Sequence, residues 1–93
     1  MHSTIIIYGA DWCRDTANAR RHLETLGVPY AYVNIDRDRE AEQAVVEWND
    51  GKRRIPTVLI HIGHSDEQIV LLNPPEHQLD DVLRESGLLR TVA

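Results

Sequence analysis

Cys13 is the only cysteine in the chain, and its neighbours set what it can do. It lies in the stretch Tyr8-Gly9-Ala10-Asp11-Trp12-Cys13-Arg14-Asp15-Thr16, which begins as the apolar run Thr4 to Tyr8 gives out and ends where a helical pattern begins. A strand, a short turn and a cysteine opening a helix make an arrangement with a mechanism. The first N–H groups of a helix have no partner inside it, and the helix dipole adds partial positive charge there. Such a site favours thiolate over thiol, and helix N-termini lower cysteine pKa values from about 8.5. The thiolate is the nucleophile, so Cys13 is a candidate catalytic residue. Thr16 stands one helical turn on, where its hydroxyl can donate to the sulfur, and is a second candidate. Arg14 adds positive charge; Asp11 and Asp15 oppose it, unless Asp11 caps the helix. The competing reading is a small buried hydrophobe without chemistry, and the pattern alone leaves both open.

The remaining polar side chains make weaker groupings. His61 and His64 straddle an expected hairpin turn and His77 lies beyond it, with nothing to fix their geometry and no cysteine near in sequence, so no metal site is expected. His22 falls on the inner stripe of the first expected helix and reads as partly buried core. Trp12 shields the sulfur, offers an apolar contact to a partner, or packs on the helix. Lys52-Arg53-Arg54 is either a solvated loop or a ligand contact. Asp36 and Asp38 read as helix-start residues, and no glycine loop is present to cradle phosphate.

The 93 residues point to one domain, spanning 1–93, with a modest core. Apolar residues make up 42% and Phe is absent, so Ile, Val and Leu must fill the interior with Trp12, Trp48 and the three Tyr. Net charge is −5 with histidines neutral. An acidic chain with one short basic cluster makes a poor nucleic-acid binder, since phosphate contacts dominate that affinity. One cysteine excludes an internal disulfide and a four-cysteine zinc site, and points to a reducing compartment or to intermolecular thiol chemistry. Thr4 to Tyr8 is too short for a signal-peptide core, and no apolar run approaches a membrane span. A cytoplasmic protein without membrane contact is expected.

Thr4 to Tyr8 is β-branched and continuously apolar, as in a strand buried on both faces. Thr16 to Gly27 reads as a helix with Ala19, His22, Leu23 and Leu26 inward; Gly27 suits its C′ position and Pro29 stops it. Tyr30 to Ile35 is a second strand. Asp38 to Asp50 is a second helix on Ala41, Ala44, Val45 and Trp48, broken by Asn49-Asp50-Gly51. Pro56 precedes a third strand, Thr57 to Ile62, which turns at Gly63-His64-Ser65-Asp66 into a fourth, Gln68 to Leu72. Asn73-Pro74-Pro75 breaks the chain before a last helix, Gln78 to Ser86, and Leu88 to Ala93 is a short tail. The order β-α-β-α-β-β-α predicts an α/β fold with a four-stranded mixed sheet. The first three strands are expected to be parallel through right-handed crossovers, the fourth antiparallel, with helices on both faces.

With this order, Cys13 after the first strand and Pro56 before the third belong together. The chain resembles the glutaredoxin family of the thioredoxin fold, most of all its mycoredoxin and small glutaredoxin-like branch. The resemblance runs from Ile5 to Leu88 and is carried by Ile7 to Cys13, Gly27-Val28-Pro29-Tyr30, Val33-Asn34-Ile35-Asp36, Asn49 to Val58 and Leu72-Asn73-Pro74. It implies a thioredoxin-like, glutaredoxin-type fold. It also implies that Pro56 is cis and faces the cysteine, and that the backbone of Ile55 pairs with the peptide-like part of a bound thiol.

Three departures from the family pattern matter. The family's active site is usually C-x-x-C, or C-G-F-S in its monothiol branch, whereas Thr16 here stands where the second cysteine or the serine would be. A resolving cysteine is missing, which leaves monothiol exchange through a mixed disulfide. Glutathione-binding members place a glycine-containing turn at the position of Asn73-Pro74-Pro75, where N–H groups hold a carboxylate, and proline has no N–H. The mycoredoxin-like branch tolerates Asn-Pro there. Ala10 replaces a lysine that many members carry, which leaves Lys52, Arg53 and Arg54 of the facing loop either as a partial substitute or as solvated loop residues.

The resemblance thus implies a monothiol thiol–disulfide oxidoreductase with Cys13 as nucleophile and Thr16 steadying its thiolate. Trp12, Arg14, Arg54, Ile55 and Pro56 would bind a low-molecular-weight thiol of the glutathione or mycothiol type as co-substrate. Protein disulfides would be the partners and a monomer the working unit. Two other readings share the fold. One is a catalytically weak binding module using the Trp12 and Pro56 surface. The other is an iron–sulfur cluster carrier acting as a dimer, against which the bulky Arg14-Asp15 pair stands.

Overall fold

The structure, a computed structural model, describes residues 3–63 and 65–89. Seven elements follow one another: β1 Thr4–Gly9, α1 Arg14–Leu26, β2 Ala31–Asn34, α2 Arg39–Trp48, β3 Thr57–His61, β4 Gln68–Leu72 and α3 Glu76–Glu85. The strands form one four-stranded sheet in the order β2-β1-β3-β4, with β1 and β2 parallel and the β1–β3 and β3–β4 pairs antiparallel.

The element order is the one the sequence predicts, but the direction of β3 is not. A helix between strands suggests a parallel return, and β3 instead runs against β1. The reason lies in where the connection leaves and re-enters. Ile35 N–H donates to Gly9 O at 2.9 Å, and Thr57 pairs with Tyr8. Both ends of the excursion through α2 therefore sit beside the end of β1. The helix passes sideways over the sheet rather than back along it, and β3 starts where β1 stops. The same arrangement brings Leu72, opposite Thr57, to that end of the sheet.

Strand pleating assigns the two faces, since successive side chains point to opposite sides. Ile5 and Ile7 join Val58, Ile60 and Leu71 on one face, where Leu23 of α1 and Leu79 and Leu83 of α3 bury them. Tyr8 and Val33 lie on the other, against Ile35, Ala41 and Val45 around α2. Trp48 meets Tyr8 there edge to face, with ring centroids 5.4 Å apart. Helices do cover both faces, as expected.

The helix ends follow their local chemistry. Gly27 closes α1 at φ 72°, and Val28 N–H then returns to Leu23 O at 3.0 Å. Asp38 caps α2 by accepting from Ala41 N–H at 3.0 Å. The last helix begins at Glu76, earlier than predicted, because Pro75 stands at its N-cap, outside the region where a missing N–H matters. Of the predicted tail, Leu88 and Leu89 fold back onto Leu83 O through their N–H groups and pack on the core; residues 90–93 lie outside the described residues. No described helix is long and apolar enough to cross a membrane.

Candidate active site

The site begins with a tight turn between β1 and α1. Ala10 is fully buried, and its carbonyl accepts from Cys13 N–H at 3.1 Å. That turn sets Cys13 as the N-cap of α1, partly exposed, with the unpaired amides of the first helical turn beside it.

Thr16 locks the turn from beneath. Its side chain, 1% exposed, lies so close to Gly9 that a Cβ on Gly9 would stand 2.4 Å from Thr16 Cγ2 and 2.5 Å from Oγ1. Only glycine admits that approach. The expected hydrogen bond from Thr16 to the sulfur is not present here: Oγ1 has no hydrogen-bond partner among the described residues. The hydroxyl is held against the end of β1, because packing α1 onto β1 turns this face of the helix inward.

Asp11 does not cap α1. It accepts from Tyr32 Oη at 2.7 Å instead. Burial and then this hydrogen bond to a carboxylate push the Tyr32 phenol up to about 12. Arg20 lies over the Tyr32 ring, 4.0 Å from its centroid. His22 is no free base: its Nε2 donates to Asp80 Oδ1 at 2.7 Å, joining α1 to α3.

The facing wall is the loop from α2 to β3. Asn49, 5% exposed, donates from Nδ2 to Val45 O at 2.6 Å and to Thr57 Oγ1 at 3.3 Å. Thr57 Oγ1 in turn donates to Arg54 O at 2.8 Å. Asp50 and Gly51, at φ 54° and 88°, turn the chain between these anchors. The Ile55–Pro56 peptide is cis, as the resemblance implies, and Pro56 is fully buried. Pro56 O accepts from Asn73 N–H at 2.8 Å, which ties the end of β4 to this loop.

Between the walls lies a hollow of about 390 Å³ lined by Trp12, Cys13, Arg53, Arg54, Ile55, Leu72 and Asn73. Trp12 and Leu72, at 70% and 42% exposure, are the large apolar side chains most exposed among the described residues, and both stand on its rim. The fold therefore brings Cys13, Trp12, Arg54 and Ile55 together, with Pro56 behind them. It does not bring Arg14, which is exposed at the start of α1 and does not line the hollow. A larger hollow of about 730 Å³ lies at the far end of β1, around Ile6, Ala31 and Leu88, away from the cysteine.

The sequence did not reveal the polar ties on the rim. Trp12 Nε1 donates to Asp36 Oδ2 at 2.8 Å. The other oxygen of Asp36 accepts from Arg53 Nη2, and Arg53 Nε donates to Glu42 Oε2 at 2.8 Å. The Glu42 bond, and then Asp36, raise the Arg53 pKa above its ordinary value. Asp36 is thus no helix-start residue, and the Arg53 charge is already paired. Lys52 and Arg54 are exposed and make no ion pair among the described residues. Asn73 shares a bond of 3.3 Å with Asp15. The local signal for these ties was weak, because each joins residues far apart in the chain. Of the three histidines considered as a metal site, His64 lies outside the described residues, and no group of three His, Cys, Asp or Glu side chains among the described residues is placed to hold a metal.

Mycoredoxin 1 of Corynebacterium glutamicum is 38% identical over 56 residues, covering 60% of this chain and 68% of that protein. Two solved structures share the fold at low identity. The glutaredoxin-like NrdH-redoxin of Escherichia coli superposes with a TM-score of 0.66 at 22% identity, covering 85% of this chain and 93% of that one. A buckwheat glutaredoxin, solved as a complex with glutathione, gives 0.66 at 18% identity, covering 95% and 83%. Residues 5–64 match the glutaredoxin family model, and with a lone cysteine at the start of α1 facing a cis proline the chain belongs to the glutaredoxin family.

Proposed function

We propose that this protein is a monothiol thiol–disulfide oxidoreductase that reduces mixed disulfides between proteins and a low-molecular-weight thiol through Cys13. One observation carries the proposal: the lone cysteine, at the N-cap of α1, opens on a hollow whose facing wall is Ile55 before cis-Pro56. Among the described residues no backbone hydrogen bond engages the Ile55 N–H or C=O, so both are free for a peptide-like ligand.

The chemistry takes two exchanges. Cys13 thiolate attacks the small-thiol sulfur of a protein mixed disulfide. An S–S bond forms between Cys13 and the small thiol as the original S–S bond breaks, and the protein leaves as thiolate and takes up a proton. A second small-thiol anion then attacks the sulfur of the bound small thiol. Cys13 thiolate is released and the two small thiols leave as a disulfide. Exchange through thiolate attack and mixed-disulfide intermediates needs no second cysteine in the protein. One Cys13 and one hollow suffice, so a monomer is the working unit. A reducing compartment such as the cytoplasm keeps Cys13 available.

Each surrounding residue has a part. Trp12 forms an apolar wall, Ile55 offers its peptide groups, Pro56 holds them in place, and Arg54 supplies the unpaired cation nearest the hollow. Arg14 acts only through its charge. Thr16 fixes the helix start against Gly9.

The small thiol is proposed to be of the mycothiol type rather than glutathione. A carboxylate-bearing ligand would seek backbone donors at Asn73-Pro74-Pro75. The Asn73 N–H is already bonded to Pro56 O, and the prolines have none. Mycoredoxin 1, similar over much of the chain, points the same way.

The test is release of a peptide thiol from its mixed disulfide with each small thiol. Wild-type protein should turn over, faster with the mycothiol-type disulfide, and Cys13→Ser should not. No turnover with either would move the protein to the binding-module reading, with Trp12 and Leu72 as its exposed contacts.

A further inference from the structure

We infer that Asp36 is the positioning residue of the Cys13 hollow, tying the loop that carries the cysteine to the loop that carries Pro56 and keeping Arg53 from a bound thiol. The inference rests on the exchange function proposed above and adds a residue that fixes the shape and charge of its site.

The geometry is specific. Asp36 lies just beyond β2, in neither loop, yet each of its carboxylate oxygens reaches one of them. Oδ2 accepts from Trp12 Nε1 at 2.8 Å, next in sequence to Cys13. Oδ1 accepts from Arg53 Nη2, close before Ile55. An indole left 70% exposed would otherwise sample several rotamers; bonded at its only polar atom, it stands as a fixed wall. The guanidinium of Arg53 has Asp36 on one side and Glu42 on the other. These two carboxylates offset the charge of Arg53, which leaves Arg54 as the unpaired cation lining the hollow. Asp36 touches no reacting atom in the exchange, so its effect runs through Trp12 and Arg53.

The experiment has two readouts that do not depend on turnover. In protein labelled with ¹⁵N, Asp36→Ala and Asp36→Asn should shift the Trp12 indole N–H resonance and speed its exchange with water, leaving that of Trp48 in place. The rate of Cys13 alkylation by iodoacetate, relative to neutral iodoacetamide, should rise several-fold in Asp36→Asn as Arg53 becomes available to an anion. Adding Arg53→Ala should cancel most of that gain. In turnover, KM for the mixed disulfide should rise with much less change in kcat.

An unmoved Trp12 resonance would overturn the tie itself. A gain in iodoacetate preference that survives Arg53→Ala would overturn the role given to Arg53. A moved resonance with unchanged KM and unchanged reagent preference would reduce Asp36 to a structural residue. Absence of exchange in the wild type, with Cys13 alkylated by neither reagent, would defeat the function proposed above, and the indole resonance would still decide the tie.

Discussion

On one face of the sheet, α1 and α3 bury Ile7, Leu23, Val58, Ile60, Leu79 and Leu83 almost completely. On the other, α2 covers a smaller cluster of Ile35, Ala41 and Val45, with Tyr8, Val33, Trp48 and Ile55 half covered around it, and Leu59 of β3 is buried toward that face as well. The thinner face is the one whose loop carries Arg54, Ile55 and Pro56. It is held by several polar bonds, the Asp38 cap, the Asn49–Thr57–Arg54 chain and the Asp36–Arg53–Glu42 ties, where the thicker face adds to its packing the His22–Asp80 bond between its helices. The hydrophobic effect that drives burial is non-directional. Hydrogen bonds fix atoms at set distances and angles. A loop that must present the peptide groups of Ile55 to a ligand depends on the second kind of restraint.

That contrast can be broken by substitution. Leu23→Ala, on the thick face, should lower unfolding free energy by about 2–5 kcal/mol in urea titration, through lost transfer energy and the cavity left behind. Val45→Ala on the α2 face should cost less, within about 0.5–3 kcal/mol. Costs equal per carbon removed, three from Leu23 and two from Val45, would mean that the two faces contribute alike.

Gly9→Ala tests the contact where α1 meets β1. The added methyl has no room beside Thr16 and should cost about 1–3 kcal/mol. A second substitution, Thr16→Ala, should recover most of that loss, and additive losses in the pair would show that Thr16 is not the obstacle.

Asn49→Ala should cost about 1 kcal/mol of stability, the net worth of a hydrogen bond or so, because the side chain also carries an unpartnered buried oxygen whose removal offsets part of the loss. Its effect on exchange activity should exceed what that stability change explains, since the loop before Pro56 loosens. Activity falling only in step with stability would count against positioning by this side chain.

The smallest effect is on pH dependence. The Tyr32 phenol titrates at about 12 in the folded protein, against 10.0 ordinarily, chiefly through burial. Between those values the unfolded chain loses its proton and the folded one keeps it, so stability should fall as pH rises from 10.0 to about 12. Tyr32→Phe should flatten that decline in a series of urea midpoints, and an unchanged slope would assign the decline to other groups.

The legible parts of the molecule were those written in local pattern. The apolar run of β1, the Gly27 stop of α1 and the hairpin between β3 and β4 could each be read from neighbours in sequence. The facing of Cys13 and Pro56 came from the resemblance to the glutaredoxin family, since a parallel β3 would put the start of β3 and the end of β1 at opposite ends of the sheet. The direction of β3 could not be read, because α2 has the same amphipathic stripe whether it runs back along the sheet or sideways across it. Asp36 reads as a helix-start residue because a carboxylate just ahead of a helical pattern suits the positive end of the helix dipole. Its partners Trp12 and Arg53 come from two other loops, and only the folded chain brings them within reach. The helical spacing of Thr16 points its hydroxyl to the sulfur, and the closeness of Gly9 shows why its side chain packs against β1 instead.

The most direct test of the central claim is the rate at which Cys13 reacts with iodoacetamide at neutral pH, beside the same reaction of an unstructured peptide spanning Asp11 to Thr16. The account predicts at least severalfold faster reaction in the folded protein, abolished in Cys13→Ser, because the fold sets the sulfur beside the unpaired amides of the first turn of α1 and the hollow admits the reagent. Reaction no faster than that of the peptide would contradict it, for the fold would then give the cysteine no chemistry beyond its own.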